Sequence, residues 1–164
     1  MDDPFDLLGL PPRFDLDEAD LHRRYLAASA QTHPDRFRDP LDQADAAERA
    51  AHINAAHRTL KDVEQRAWAL LRRLRPRNPA AAQDDQKLPP DLLMEMMEIR
   101  ERLDDAVARN DAAALTQMRA WAESQRQARL AAIAAAFAKN DLQAVPVQLN
   151  ALRYVQRMRE QMPR

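Results

Sequence analysis

Apolar residues recur at steps of three and four along most of the chain, the spacing that gathers them on one side of an α-helix. Leu21 and Tyr25 share a side in the stretch after Asp17. Ala46, Ala50, Ile53, His57 and Leu60 make a longer stripe, and Val63, Ala67, Leu70, Leu71 and Leu74 make another. The spacing returns after residue 90 with Leu92, Met96, Ile99, Leu103 and Ala106, and near the end with Val145, Leu149 and Leu152.

The breaks between stripes carry helix punctuation. Asp3 before Pro4 reads as an N-cap with proline at the first helical position, and Gly9 as the left-handed residue that closes a short helix bearing Phe5, Leu7 and Leu8. Pro11 and Pro12 hold the next stretch extended, and either Asp15, with Glu18 three residues on, or Asp17 can cap the second helix. That helix must stop at His33, because Pro34 clashes with the backbone before it and pushes His33 out of the helical region. His33-Pro34-Asp35 is therefore an exposed turn, and the second and third helices lie antiparallel with this turn at one end. Asp62 with Gln65 reads as a capping box for a fourth helix.

Residues 76–90 mix Pro, Ala, Gln and Asp without periodicity and read as a linker between a unit at 1–75 and a unit at 91–164. In the second unit, Asn110-Asp111 and Asn140-Asp141 read as tight corners, since Asn tolerates the left-handed conformation and Asp caps the next helix. Three antiparallel helices result, over 91–109, 111–138 and 141–161. Pro146 sits too deep in the last for a first-turn position, so that helix begins late or bends there.

Composition supports an all-α chain: one glycine, few aromatics and abundant Ala, Leu, Arg, Glu and Gln disfavour strands and hairpins. The absence of cysteine excludes disulfides, zinc-thiolate sites and thiolate-held iron-sulfur clusters. Met1-Asp2-Asp3-Pro4 is acidic, and no run approaches the roughly 20 apolar residues of a membrane span, so a cytoplasmic protein without a membrane partner is expected. The net charge is −1, with twelve basic and fourteen acidic residues up to Arg75 and thirteen and twelve beyond, which lacks the basic excess of a nucleic-acid binder. A helix-turn-helix regulator is further disfavoured by the proline and the acidic residues at the turn.

Two places can carry function. At the turn, His33 and Asp35 make a weak hydrolytic pair: the nearest hydroxyls, Ser29 and Thr32, lie in or beside the arriving helix, and no glycine-rich phosphate loop exists. No catalytic site and no cofactor are expected. His52 and His57 are five apart, about 140° around a helix, and with Glu48 make half a metal site at best, so no metal is expected either. Arg23, Arg24, Arg36 and Arg38 flank the turn and form either a solvated face or, together with Asp35, a docking patch for an acidic protein surface. In the helix after Asp91, Leu93, Met94 and Met97 are surplus to the apolar stripe and share an arc of roughly 140° with Glu98, Glu101, Asp104 and Asp105. Either this arc is a protein-binding patch of flexible apolar residues rimmed by carboxylates, or the bundle buries a wider face. Tyr154, off the last stripe, either extends the patch or belongs to the core.

Asp6-Leu7-Leu8-Gly9-Leu10, the helix ending in His33-Pro34-Asp35, and Ile53-Asn54-Ala55-Ala56 with Leu60 resemble a J-domain, the module through which co-chaperones stimulate DnaK-type ATPases. His33-Pro34-Asp35-Arg36-Phe37, Arg66-Ala67-Trp68-Ala69-Leu70-Leu71, Leu93-Met94-Glu95 and Glu98-Ile99-Arg100-Glu101 resemble, more narrowly, the HscB family of iron-sulfur co-chaperones, in order over nearly the whole chain. The resemblance implies an L-shaped molecule: a J-domain, an antiparallel helical hairpin with flanking helices, followed by a C-terminal three-helix bundle. It implies that the J-domain recruits the ATPase HscA and the bundle binds the cluster scaffold IscU for cluster assembly and transfer. It puts His33, Pro34 and Asp35 at the chaperone contact, with Arg23, Arg24 and Arg36 beside them. It puts Leu93, Met94, Met97, Glu98, Glu101, Asp105 and Tyr154 at the scaffold contact. At Met97, Asp105 and Tyr154 this chain departs from the family's usual residue, and its second helix is less basic than in general J-domains. A J-domain co-chaperone for another client is the remaining alternative.

Overall fold

The computed structural model of the chain describes residues 3–33, 37–75 and 90–163, without the side chains of Asp91 and Leu92. Pro34, Asp35 and Arg36 of the turn, and the expected linker apart from Pro90, lie outside the described residues. All regular structure among the described residues is α-helical, and the chain divides into two compact units, Met1–Pro76 and Arg77–Arg164.

In the first unit, α1 (Pro4–Leu7), α2 (Glu18–Gln31), α3 (Pro40–Lys61) and α4 (Val63–Leu74) follow one another. The Asp3 carboxylate accepts from the Phe5 amide at 2.9 Å and starts α1, while Gly9, at φ +60°, ends the turn after it. Of the two caps open for α2, Asp17 is the one used, accepting from the Ala19 amide at 2.9 Å. Asp39 and Pro40 restart the chain as α3, and Asp62 both ends α3 and caps α4, accepting from the amides of Glu64 and Gln65. α2 and α3 are antiparallel: His22 and Tyr25 face His57, whereas Gln31 and Thr32 lie beside Asp42, Asp45 and Ala46.

Phe5, Leu60, Leu70 and Leu71 are fully buried in this unit, each contributing about 1.5–3 kcal/mol. The expected α4 stripe needs correction. Residues 66 to 71 are all buried, including Arg66 and Trp68, while Leu74 is 42% exposed. A helix enclosed on every side for more than a turn has no polar face there, and Leu74 is its last residue. Arg66 is accommodated because its Nη1 donates to the Phe14 carbonyl at 3.1 Å and its guanidinium lies 5.9 Å from the Phe14 ring centre. Burial pushes its pKa below the ordinary arginine value, against the opposing pull of Glu18, Asp15 and Asp62.

The second unit holds α5 (Pro90–Ala108), α6 (Ala112–Ala138) and α7 (Ala144–Gln161). Asn110 and Asn140 adopt φ 52° and 56°. At each, the Asn amide donates to the carbonyl three residues back and the following Asp amide to the carbonyl five back, the same pattern that Gly9 and Leu10 make in the first unit. Asp111 then caps α6 by accepting from the Ala114 amide, and Asp141 accepts from the Ala144 amide in the turn before α7, whose N-cap residue Gln143 makes no side-chain cap bond. α7 begins late, at Ala144, which brings Pro146 into the first turn where its missing N–H costs nothing. Leu103, Ala106, Leu115, Met118, Ala122, Val155 and Met162 form the seam of α5, α6 and α7.

Candidate functional site

The tip of the α2–α3 hairpin is built by two helix ends. Thr32 terminates α2, its hydroxyl donating to the Ala28 carbonyl at 3.1 Å, and the exposed His33 comes immediately after. On the other side, the Gln43 side-chain amide reaches back from α3 and donates to the Phe37 carbonyl at 2.9 Å. Phe37 itself is half-buried beside Gln31, Thr32, Asp42, Asp45, Ala46 and Arg49, so both described flanks of the turn are braced. Polarity alone gave no sign of Gln43's role. Pro34, Asp35 and Arg36 themselves lie outside the described residues.

Arg23 and Arg24 are not gathered at this tip. They lie nine or ten residues before His33, about 13–15 Å along the helix axis. Both reach Asp20, Arg24 through Nε at 3.1 and 3.2 Å, and Arg24 also donates to the Gly9 carbonyl, which ties α2 to the corner after α1. Between these arginines and the tip, Tyr25 stacks on His57 with ring centres 4.1 Å apart and donates to Asn54 Oδ1 at 2.8 Å. Partial burial lowers the His57 pKa from 6.5, and Lys61 and His22 lower it further. His52 and His57 share no metal-binding group: no cluster of three His, Cys, Asp or Glu among the described residues is placed to hold an ion.

The second surface is on α5. Met96, Leu103 and Ala106 are buried with Ile99 half-buried against the seam, so the helix has already committed one side to the bundle. Leu93, Met94 and Met97 are 44%, 62% and 56% exposed, and Val107, which the apolar periodicity did not single out, is exposed near the C-terminal end of the same helix. Glu98, Glu101, Asp104 and Asp105 are exposed beside them. Asp105 pairs with Arg109 at 3.3 Å and Asp104 lies 4.0 Å from Arg100, contacts too solvated to hold the helix in any one state. Tyr154, on α7, is half-buried beside the fully buried Val155.

Comparison with known proteins bears on both units. Residues 3–69 match the DnaJ domain family, and residues 88–162 match the HSCB C-terminal oligomerisation domain family. A Co-chaperone protein HscB homolog from Burkholderia mallei (strain SAVP1) is 36% identical over 159 residues, covering 96% of this chain and 90% of that protein. The chain belongs to the HscB co-chaperone family. Chaperone HscB from Vibrio cholerae superposes with a TM-score of 0.79 at 30% identity, over 98% of this chain and 95% of that one. Human co-chaperone protein HscB shares the fold, with a TM-score of 0.84 at 24% identity over 99% of this chain and 81% of that one. The first unit is thus a J-domain, and a J-domain co-chaperone has a DnaK-type ATPase as its partner.

Proposed function

We propose that this J-domain co-chaperone couples the ATPase HscA to the iron-sulfur scaffold IscU. The J-domain, residues 1–75, presents His33, Pro34 and Asp35 to the chaperone. The bundle, residues 91–164, presents Leu93, Met94 and Met97, with Glu98, Glu101, Asp105 and Tyr154 at the edge, to the scaffold, and residues 76–90 link the two in the cytoplasm. The observation that carries the reading is the α5 surface: three large apolar side chains stand in water on a helix that already buries Met96, Leu103 and Ala106. Carboxylates around them favour a partner that is apolar with basic groups at its rim.

The turn works on an equilibrium. A carboxylate that contacts only the hydrolysing, client-gripping form of the ATP-bound chaperone shifts the chaperone toward that form by the strength of the contact. One charge-assisted hydrogen bond is worth about 1.5–3 kcal/mol, or on the order of ten- to a hundredfold in coupling. The chain acts as an adaptor, and the chemistry of hydrolysis belongs to the ATPase.

Steady-state HscA ATPase, measured with this protein, with IscU and with both, tests the proposal. Synergy between the two is expected. Asp35→Asn abolishes stimulation while leaving the melting temperature unchanged, and normal stimulation by that variant removes the proposed role. Met97→Ala with Glu98→Ala weakens IscU capture yet keeps scaffold-free stimulation; undiminished capture excludes α5 as the cargo surface.

A further inference from the structure

Six methionines fall among the described residues, and solvent access divides them into two groups. Met96 is fully buried, Met158 is 3% exposed, and Met118 and Met162 are 7% exposed, whereas Met94 and Met97 are 62% and 56% exposed. The two exposed thioethers are three residues apart, about one helical turn, beside the exposed Leu93. The neighbouring Met96 is enclosed instead.

An accessible thioether reacts with peroxide. The sulfur lone pair attacks one oxygen of hydrogen peroxide, an S–O bond forms as the O–O bond breaks, and the second oxygen leaves as water. Sulfur is oxidised and the peroxide reduced. Close-packed surroundings deny the buried methionines that approach. The product is a polar, chiral sulfoxide where a flexible apolar side chain had been.

We propose that Met94 and Met97 form a peroxide-sensitive modification site that releases the cargo when oxidised. This rests on the reading of α5 as the cargo surface. A partner surface shaped to cover thioethers must, after oxidation, bury sulfoxide oxygens whose hydration is lost without a designed replacement. The fold itself does not depend on either side chain, so the protein stays folded while its patch is switched off. Because methionine sulfoxide reductases reverse the modification, the switch resets.

The test exposes the full chain to graded hydrogen peroxide, removes the peroxide, maps added oxygen by peptide mass spectrometry and measures binding to immobilised IscU alongside thermal melting. Met94 and Met97 gain oxygen before the four buried methionines, melting is unchanged, and IscU binding falls at least about tenfold. Met94→Leu with Met97→Leu, compared with its own untreated affinity for IscU, shows no loss after peroxide, and methionine sulfoxide reductase restores the oxidised parent. Oxidation of the buried methionines at the same rate, unaltered binding by the oxidised parent, or an equal loss in the leucine variant each overturns the inference. Untreated parent that does not bind IscU overturns the cargo reading as well, and that failure is visible before any peroxide is added.

Discussion

The J-domain leans on long polar side chains where the bundle relies on an apolar seam. In the J-domain, Arg66 satisfies the Phe14 carbonyl, Arg24 the Gly9 carbonyl, and Arg73 bridges Asp3 and Asp6 at 2.9 Å each, holding a four-residue helix that could not persist alone. In the bundle, helices of 18 to 27 residues meet through Leu103, Leu115, Met118 and Val155. The long polar side chains that cross it join mainly other side chains, Arg129 with Gln148 and Arg159 with Glu123, with Arg119 donating to the Pro163 carbonyl just beyond α7. The difference comes from size: a short helix and a proline-rich connection bury little surface and leave carbonyls outside any helix ladder, so arginines complete them. It also separates the two candidate surfaces. One is a break between helices, and the other is the unused side of an unbroken one.

Substitutions probe the contrast. The largest effect on stability belongs to the apolar seam: Leu103→Ala costs the bundle about 2–5 kcal/mol in denaturant unfolding, while Met97→Ala, one residue past the buried Met96, costs under about 0.5 kcal/mol. If the two cost the same, α5 has no free side. Next comes the polar tie of the other unit. Arg66→Met keeps volume but removes the charged donor to the Phe14 carbonyl, which keeps only the Leu16 amide at 3.0 Å, and costs about 1.5–3 kcal/mol with the loss confined to the J-domain transition. The corner that both units share comes third. Asn140→Ala forces a β-carbon-bearing residue without Asn's local hydrogen bonding to hold φ 56° and costs about 1 kcal/mol, whereas Asn140→Gly is close to neutral by the same measurement.

The smallest effect is a pH dependence peculiar to the J-domain. His57, stacked on Tyr25 and facing His22 and Lys61, has its pKa lowered by burial and by those two charges. The unfolded chain therefore takes up more protons than the folded one in the window below 6.5. The stability that neutral His57 confers is complete above that value and is lost as the pH falls through the folded-state pKa. His57→Gln flattens this limb of the melting-temperature profile; an unchanged profile shows that the stack carries no proton linkage.

Much of this was legible because local rules act over a few residues. Asp3, Asp62 and Asp111 cap helices for reasons contained in the next three positions, and the Asn-Asp corners need no distant partner. The late start of α7 was readable from Pro146. Burial of Arg66 and Trp68 was not, since a periodicity scan counts arginine as outward-facing and cannot see a carbonyl fifty-two residues earlier in the chain. Arg24 carries a tertiary role that the pattern did not show: it contacts Asp20 and donates to the Gly9 carbonyl, fifteen residues earlier. Gln43 carried no signal, because bracing the Phe37 carbonyl requires only a side chain of the right reach.

Local sequence dictates where helices start and stop, which side of each is apolar, and that Leu93, Met94 and Met97 exceed what one stripe needs. Whether that excess is absorbed depends on how wide a face of α5 its neighbours cover, a question of packing between residues far apart in the chain. Only the folded bundle answers it: α6 and α7 cover the Ile99, Leu103 and Ala106 side and leave Met94 and Met97 in water.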